Sequence, residues 1–319
     1  MDCGVGGMIH EGLIEKDLIY MKNIKHANVK AIASDLDGTL IKDHSNSLPD
    51  SFFDEIRAIQ AKGIPFVAAS GRQYANMRKI LAPIADEIDY ISENGCIITH
   101  KGEVVHINSI DRELALSLID ELSKEENAEL MISGTSTGFV ISKNKEYVRL
   151  LREVIGIEVT EVDKAEDITE EITKISILWE EGIPKEPEKH YHDKYDDKLL
   201  VANGGNGWLD FNNLGAGKGP ALKVIAKYYG LTTDDFIVFG DNENDITMLE
   251  EGGISYAVSS ATPYVKSHAK YVCEDVMEVL KNMFLSNESE CWKWHSDLIF
   301  FVYTKKYVLE VLILSVKIQ

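Results

Sequence analysis

The chain has 319 residues, 45% hydrophobic and 27% charged, an ordinary globular composition that suits about two domains. Its 53 acidic and 33 basic side chains give a formal net charge of −20. A surface this negative repels nucleic acids and anionic lipids, so neither is expected as a partner. Any site for an anionic ligand must therefore reverse the field locally with a metal ion and a few placed cations.

The cysteines and the two chain ends predict a cytoplasmic protein. Four scattered cysteines without a C-x-x-C pair or zinc spacing indicate reduced thiols. The N-terminal stretch MDCGVGGMIHEGLIEKD lacks the basic and then apolar run of a secretory signal. Residues 298–303 and 307–316 are apolar, but each run is shorter than the roughly 20 residues that span a bilayer. We therefore predict surface-packed segments there and no membrane anchor.

From Val29 onward, short apolar strands alternate with amphipathic helices. The predicted strands and helices of this first part are, in chain order, 29–34, 50–62, 64–69, 73–84 and 89–92. Alternation of this kind predicts a parallel sheet that is covered by helices on both faces. A similar pattern returns late in the chain, with helices at 220–229 and 244–251 on either side of a strand at 236–239.

The middle of the chain has a different pattern and predicts a separate α+β insert. Its predicted helices and strands are 111–123, 128–133, 138–142, 145–154 and 173–179, followed by the hairpin KLLVA-NGGN-GWLDF with its turn at 203–206. We predict an α/β domain interrupted by a cap domain. The predicted boundaries are 1–28 (N-terminal extension), 29–108 (core), 109–204 (cap), 205–285 (core) and 286–319 (C-terminal tail).

Four polar clusters stand out, and three of them follow predicted parallel strands, whose carboxyl ends meet at one edge of a sheet. The first is DLDGTL at 35–40, where two acids follow an apolar strand. Such carboxylates suit a division of labour in which Asp35 attacks phosphorus and Asp37 handles protons. The alternative is an ordinary Asp-x-Asp-Gly turn; an EF-hand calcium loop is excluded because no helix precedes the motif.

The second cluster, ASGR at 69–72, offers a hydroxyl at a strand end, a glycine that permits close backbone approach, and a guanidinium. Ser70 suits a hydrogen bond to a phosphoryl oxygen, and Arg72 suits a bidentate contact to phosphate. The alternative is a capped turn.

The third cluster, GAGKG at 215–219, differs from a nucleotide phosphate loop in its glycine spacing and lacks the following Ser or Thr. Lys218 lies at the start of the helix at 220–229, where an anion is favoured. The alternative is a solvated lysine.

The fourth cluster, GDNENDITML at 240–249, places three acids and two amides just beyond a strand. Oxygen ligands around a small cation are the natural use of this set, because Mg²⁺ bound with phosphate needs one or two carboxylates. A simple helix N-cap needs only one of these side chains.

In this order, DLDGTL, ASGR, Lys218 and GDNENDITML resemble the four motifs of haloacid dehalogenase-type phosphatases. The ENG at 93–95, the large insert and WLDFNNLGAGKGPAL resemble the Cof-like, type IIB branch of that superfamily. The resemblance covers about residues 29–284. It implies a Rossmann-like parallel-sheet core interrupted by a smaller α+β cap of the C2B type.

The resemblance also implies roles for individual residues. Asp35 would be the nucleophile and Asp37 the general acid/base, while Ser70 and Lys218 would stabilise charge on the phosphoryl group. Mg²⁺ would be held by the Asp35 carboxylate, the Asp37 main-chain carbonyl and Asp241, with Asp245 and Asn244 completing or supporting that site. The predicted contacts to substrate are Gly71, Arg72 and Asn244. One departure is Ser259-Ser260-Ala261, where the family often has Gly-Asn-Ala.

The expected activity is hydrolysis of sugar phosphates or similar small phosphate monoesters through an aspartyl-phosphate. A phosphotransferase or phosphomutase is an alternative, because it shares that intermediate and differs only in the acceptor. A non-catalytic phosphometabolite-binding regulatory protein is a third possibility, but a pure binder has no need of Asp37. The sequence names neither the substrate nor the oligomeric state.

Overall fold

The computed structural model describes residues 29–42 and 47–286. Val29–Val276 form one compact unit. The predicted N-terminal extension, the apolar runs near the C-terminus and all of the predicted tail beyond Ser286 lie outside the described residues. No helix within the described ranges is long and apolar enough to cross a membrane.

The secondary structure alternates between the two predicted patterns. The strands are β1 (Ala31–Asp35), β2 (Phe66–Ala69), β3 (Asp89–Ser92), β4 (Ile97–His100), β5 (Glu103–Ile107), β6 (Glu129–Ser133), β7 (Gly138–Val140), β8 (Val159–Glu161), β9 (Lys174–Leu178), β10 (Leu199–Gly205), β11 (Trp208–Asn213), β12 (Phe236–Gly240), β13 (Ile254–Val258) and β14 (Tyr271–Cys273). The α-helices are α1 (Asp50–Gln60), α2 (Tyr74–Ile80), α3 (Arg112–Leu122), α4 (Lys145–Arg149), α5 (Lys185–Tyr195), α6 (Lys218–Tyr228), α7 (Ile246–Glu251), α8 (Pro263–His268) and α9 (Val276–Leu280). A π-helical turn, Lys281–Leu285, follows α9.

The larger sheet has the strand order β14-β13-β12-β1-β2-β3-β4-β5. Its strands from β14 to β3 are parallel, and β4 and β5 are antiparallel additions at one edge. The central strands β1, β2, β12 and β13 are buried along their whole length, as expected for a sheet with helices on both faces. The predicted Rossmann-like core is confirmed.

Strand register brings the carboxyl ends of the central strands level with one another. Asp35 pairs with Ala69, and Ser34 pairs with Phe239, the residue before Gly240. The loops that follow β1, β2 and β12 therefore leave the sheet side by side, and these loops carry three of the four polar clusters.

The smaller sheet is built from the middle of the chain, in the order β10-β11-β9-β6-β7-β8. It is mainly antiparallel, and only the pair β7–β8 is parallel. One face packs with α3 and α5 around a core that includes Leu118, Ile119, Ile175, Tyr191 and Phe211. This is the α+β architecture expected of the insert. Because β11 extends to Asn213, we propose that the insert ends near residue 213 and not at 204.

The hairpin between β10 and β11 differs from the predicted one in the position of its turn. β10 continues to Gly205, which pairs with Trp208, so the turn residues are Asn206 and Gly207. Both have positive φ, 50° and 85°, as a type I′ turn requires. The prediction of a turn at 203–206 was therefore wrong by about two residues, because a bulge near Gly204 absorbs the first glycine of the run.

Candidate active site

The ammonium group of Lys218 lies at the centre of the polar clusters. Its Nζ is 2.6 Å from Asp35 Oδ1 and 2.6 Å from Asp245 Oδ1. Lys218 is completely buried, so it is not a solvated lysine. Burial disfavours the charged form of Lys218, but Asp245 and Asp35 outweigh that effect and raise the pKa of the ammonium above its usual range. The two carboxylates therefore favour the charged form of Lys218.

Asp35 has one engaged and one free oxygen. Oδ1 accepts the hydrogen bond from Lys218, whereas Oδ2 is buried and finds no hydrogen-bond donor in the described part of the chain. Burial raises the pKa of Asp35 well above its usual value, Asp245 raises it further, and Lys218 opposes both. A buried carboxylate oxygen without a donor is costly, which indicates that a ligand or ion belongs beside it.

Asp35, Asp241 and Asp245 together can hold a divalent cation. One oxygen from each lies within 4.8 Å of the others. Thr39 Oγ1 donates to Asp241 Oδ1 at 2.9 Å and so fixes the direction of that side chain. Burial and Asp245 raise the pKa of Asp241. Carboxylate oxygens are hard ligands, so this cluster fits an ion of the Mg²⁺ type.

Asp245 differs from the other two acids because both of its oxygens already have protein donors. Oδ1 accepts from Lys218, and Oδ2 accepts from the backbone amides of Asp241 and Asn242 at 2.9 and 3.0 Å. The second pair of bonds caps the short helical turn at 243–245. Asp245 thus fixes both Lys218 and the backbone of the loop after β12.

Asp37 forms a bidentate ion pair with Arg72. Arg72 Nε donates to Asp37 Oδ2 and Nη2 donates to Oδ1, each at 2.7 Å. Arg72 Nη1 also donates to Asn76 Oδ1 at 2.7 Å, and Asn76 Nδ2 donates to the carbonyl of Gly156 in the insert. The guanidinium fork therefore orients Asp37, the second acid of the first motif.

Ser70 and two of the predicted substrate contacts, Gly71 and Asn244, lie next to Asn94. Ser70 is buried, and its Oγ accepts the Arg72 amide at 3.1 Å. Asn244 Nδ2 donates to Asn94 Oδ1 at 3.0 Å. A Cβ at Gly71 would lie 2.9 Å from the same Asn94 oxygen. A side chain at Gly71 would require Asn94 to move, so glycine favours the close approach of the ASGR loop to the loop after β3.

Gly38 permits the closest approach between the first and fourth motifs. Its φ is +83°, and a Cβ there would lie 2.2 Å from Asp241 Oδ2. Any other residue would displace the Asp241 side chain from its position in the cluster. The glycine of DLDGTL is thus required by both conformation and space.

Some residues of the site were not predicted as functional from the sequence. Thr39 belongs to the first motif, but its role in orienting Asp241 is seen only in the hydrogen bond between the two side chains. Thr247 Oγ1 accepts the amide of Gly219 at 3.0 Å and so joins the start of α6 to α7. Glu93, within the ENG that carried part of the resemblance, is almost completely buried. The position of a polar residue inside a motif could have marked it as functional, but sequence spacing does not show which residue it contacts.

The loop Ser259-Ser260-Ala261 bonds away from the acidic cluster. Ser259 Oγ donates to Glu274 Oε2 at 2.6 Å, and Lys266 Nζ donates to the Ser259 carbonyl. These contacts tie the end of β13 to α8 and to the segment after β14.

A family model of haloacid dehalogenase-like hydrolases matches residues 32–279. The chain belongs to this family. The predicted membership in its Cof-like phosphatase branch is confirmed. A 5-amino-6-(5-phospho-D-ribitylamino)uracil phosphatase of Escherichia coli is 27% identical over 244 residues, which cover 76% of this chain and 90% of the relative.

Solved structures share the fold of this haloacid dehalogenase-like hydrolase. A protein from Eubacterium rectale superposes with a TM-score of 0.74 at 30% identity, covering 80% of this chain and 98% of the other. A subclass IIB sugar phosphatase superposes with a TM-score of 0.66 at 22% identity, covering 79% and 98%. At that identity the second likeness supports the fold alone.

Proposed function

We propose that the protein is a Mg²⁺-dependent phosphatase that hydrolyses small phosphate monoesters through an aspartyl-phosphate at Asp35. The observation that carries the proposal is the buried Asp35 carboxylate, with Oδ1 held by Lys218 and Oδ2 unpartnered, at the end of a central parallel strand. A strand end is rigid, so the nucleophile is positioned before substrate arrives.

Asp35 Oδ2 is the atom that attacks phosphorus in this proposal. The P–O bond to the leaving group breaks as the Asp35–P bond forms, and water later attacks phosphorus to release inorganic phosphate and restore Asp35. Lys218 keeps the other carboxylate oxygen in place and supplies positive charge beside the transferring group.

Asp37 is the proposed proton carrier. Protonated at first, it gives its proton to the leaving alkoxide and then takes one from the attacking water. Both Asp37 oxygens accept from Arg72 in this structure, so the fork orients the ionised carboxylate that takes the proton from water. One of its two bonds must give way while Asp37 carries the proton. Arg72 bonds to Asp37 and Asn76, so we propose that it orients Asp37. Its contact with phosphate stays a prediction.

The remaining phosphoryl oxygens would be met by the Ser70 hydroxyl and by backbone amides of the ASGR loop, which Gly71 allows to approach closely. Asn244 supports this side of the site through Asn94. Its direct contact with substrate stays a prediction.

The ion proposed for the acidic cluster is Mg²⁺. Asp35, Asp241 and the Asp37 main-chain carbonyl would hold it, and Asp245 would support it by holding Lys218 and the Asp241 amide. When bound, the ion supplies positive charge that reduces repulsion between the Asp35 carboxylate and the phosphoryl oxygens.

The proposed substrates are small phosphorylated metabolites such as sugar phosphates. A related enzyme acts on a phosphorylated ribitylaminouracil, which places a sugar-alcohol phosphate in the panel to be tested. The insert joined to the core at residues 109 and 213 is the proposed cap that reads the leaving group and excludes water. The proposed location is the cytoplasm.

The proposal is tested by phosphate release from p-nitrophenyl phosphate and from a panel of sugar and sugar-alcohol phosphates. Each substrate is assayed with Mg²⁺, with EDTA, and with the Asp35→Asn variant. We expect release that needs both Mg²⁺ and Asp35. Full activity in Asp35→Asn would overturn the nucleophile assignment. Transfer to an added alcohol in place of water would favour a phosphotransferase, and no release from folded, Mg²⁺-loaded protein would favour a binding protein.

A further inference from the structure

A buried ion pair joins the core to the insert beside the catalytic loops. Glu93 follows β3 in the core, and Lys174 is the first residue of β9 in the insert. Lys174 Nζ lies 3.2 Å from Glu93 Oε2, and the two side chains are only 10% and 3% exposed. Ser133 at the end of β6 donates to the same oxygen at 3.4 Å. Two elements of the insert thus converge on one carboxylate of the core.

The positive charge of Lys174 is maintained at a place where burial opposes it. Desolvation alone would lower the pKa of Lys174, but Glu93 and Asp210 outweigh it and raise that pKa above its usual range. Burying such a pair is expensive, and apolar residues of similar volume commonly stabilise a junction as well or better. The pair therefore calls for an explanation other than stability.

The backbone that carries Glu93 is in an unusual conformation. Glu93, Asn94 and Gly95 have φ values of +49°, +55° and +94° in succession. Left-handed conformations are costly for residues other than glycine and persist where their surroundings enforce them. A turn of this kind is retained where it places a group at a required position.

The same turn is bonded to the loops of the proposed active site. The Glu93 amide donates to the Arg72 carbonyl at 3.0 Å, and the Asn94 amide donates to the Ser70 carbonyl at 3.1 Å. Gly95 packs against the residue before Lys218, since a Cβ at Gly95 would lie 2.3 Å from the Gly217 carbonyl oxygen. A shift of the turn would therefore move Ser70, Arg72 and Lys218 together.

We propose that Glu93 and Lys174 are a positioning pair that couples the placement of the insert to the geometry of the catalytic loops. Lys174 holds the Glu93 carboxylate, and the turn behind Glu93 then holds the Ser70 loop and the start of α6 in their catalytic arrangement. This inference rests on the proposed function, because the roles of Ser70 and Lys218 are part of that proposal. The rival explanation is that the pair contributes to folding alone.

The test compares Glu93→Gln, Lys174→Met and the double variant in Mg²⁺. Each single variant leaves a buried charge with a weakened or missing partner, so each should lose thermal stability. The double variant removes both charges and should regain a Tm close to that of the wild type. We expect its kcat for p-nitrophenyl phosphate to stay about 10- to 100-fold below the wild type with a smaller change in KM. A double variant that regains kcat together with Tm would overturn the proposal.

Two controls isolate the buried pair. Lys174→Arg keeps the cation and should retain kcat within about threefold. Lys79→Met removes another pair between core and insert, Lys79 Nζ to Glu158 Oε1 at 2.5 Å, which is exposed and does not touch the catalytic loops. Exposed pairs contribute little, so kcat should change less than about twofold. An equal loss of kcat in Lys79→Met and the double variant would contradict a specific role for Glu93 and Lys174.

A binding measurement separates this inference from the proposed function. Inorganic phosphate is titrated calorimetrically into Mg²⁺-loaded wild type and double variant. If the wild type shows no Asp35-dependent turnover but the double variant binds phosphate about tenfold more weakly, the proposed reaction fails and the positioning role stands. Equal phosphate binding in the two proteins, with equal turnover or with none, would overturn the positioning role.

Discussion

Lys218 provides the buried positive charge of the site, because its ammonium group pairs with both Asp35 and Asp245. Lys218→Met keeps the bulk of the side chain but leaves two buried carboxylates without their cation. We expect kcat to fall about 10²- to 10³-fold and the free energy of unfolding to fall by about 3–5 kcal/mol. Steady-state kinetics and urea unfolding measure the two effects.

Lys223→Met is the matched control for Lys218, because Lys223 lies on the same helix and forms an exposed pair with Glu251 at 2.5 Å. Its loss should cost less than about 1 kcal/mol and leave kcat unchanged. Similar losses in both variants would mean that helix stability, and not the buried cation, determines the outcome.

A comparison of Gly38 with Gly63 distinguishes the need for a positive φ from the need for space beside Asp241. Gly38 and Gly63 share a φ of +83°, but a Cβ at Gly63 meets nothing within 4 Å, whereas at Gly38 it would reach Asp241. Both Gly→Ala variants should lose about 1–2 kcal/mol of unfolding free energy. Only Gly38→Ala should also lose activity and require more Mg²⁺ for half-maximal rate. Equal kinetics in the two variants would show that Asp241 tolerates displacement.

At the scale of elements, the strands and their loops were readable from the sequence because parallel strand ends meet at one edge. The clusters that contain Asp35, Asp241 and Asp245 follow from that rule, whereas the family resemblance implied the roles of these three residues. The structure places their carboxylates together. The contact between Thr39 and Asp241 joins residues 202 positions apart and depends on packing, so no local pattern shows it.

Several elements were missed for identifiable reasons. The segment 185–195 has Pro187 and many charges, a composition that does not predict a helix, yet it forms α5. Proline is tolerated in the first turn of a helix, and the buried Tyr191 and Tyr195 supply the packing that propensity lacks. The antiparallel strands β4 and β5 were not predicted, because edge pairing depends on neighbours that a short sequence window does not contain.

The junction of α6 and α7 yields an element-scale prediction. A Cβ at Gly219 would lie 2.3 Å from the Thr247 carbonyl oxygen, which is backbone and cannot rotate away. Gly219→Ala should push α6 from α7 and carry Lys218, the first residue of α6, out of position. We expect kcat to fall about tenfold or more. Kinetics measured beside Lys227→Ala, an exposed change on the same helix, give the comparison. An unchanged kcat would show that α6 moves without Lys218.

At the scale of the whole molecule, stability and Mg²⁺ binding should be linked through protons. Burial raises the pKa values of Asp35 and Asp241 in the metal-free protein. The folded state then binds these protons more tightly than the unfolded chain does. Their stabilising contribution is therefore fully present below the ordinary aspartate pKa of about 4 and is lost as pH rises through the raised values.

Mg²⁺ requires the ionised carboxylates, so it should stabilise the protein more at higher pH. We expect the rise in Tm on adding Mg²⁺ to be larger at about pH 7 than at about pH 5, and to shrink in Asp241→Asn. Thermal unfolding in Mg²⁺ and in EDTA at both pH values measures this. An equal rise at both pH values would contradict the assignment of Asp35 and Asp241 as ligands.

The central claim is that Asp35 becomes phosphorylated, and chemical trapping tests it most directly. The Asp37→Asn variant is mixed with Mg²⁺ and p-nitrophenyl phosphate. The leaving group of this substrate needs no proton, so the first step proceeds, whereas hydrolysis of the intermediate is slow because Asp37 no longer takes a proton from water. Acid quenching and borohydride reduction convert an aspartyl-phosphate to homoserine, which peptide mass spectrometry locates. The account predicts homoserine at position 35. Turnover by the wild type without any modification at position 35 in the trapped variant would contradict it.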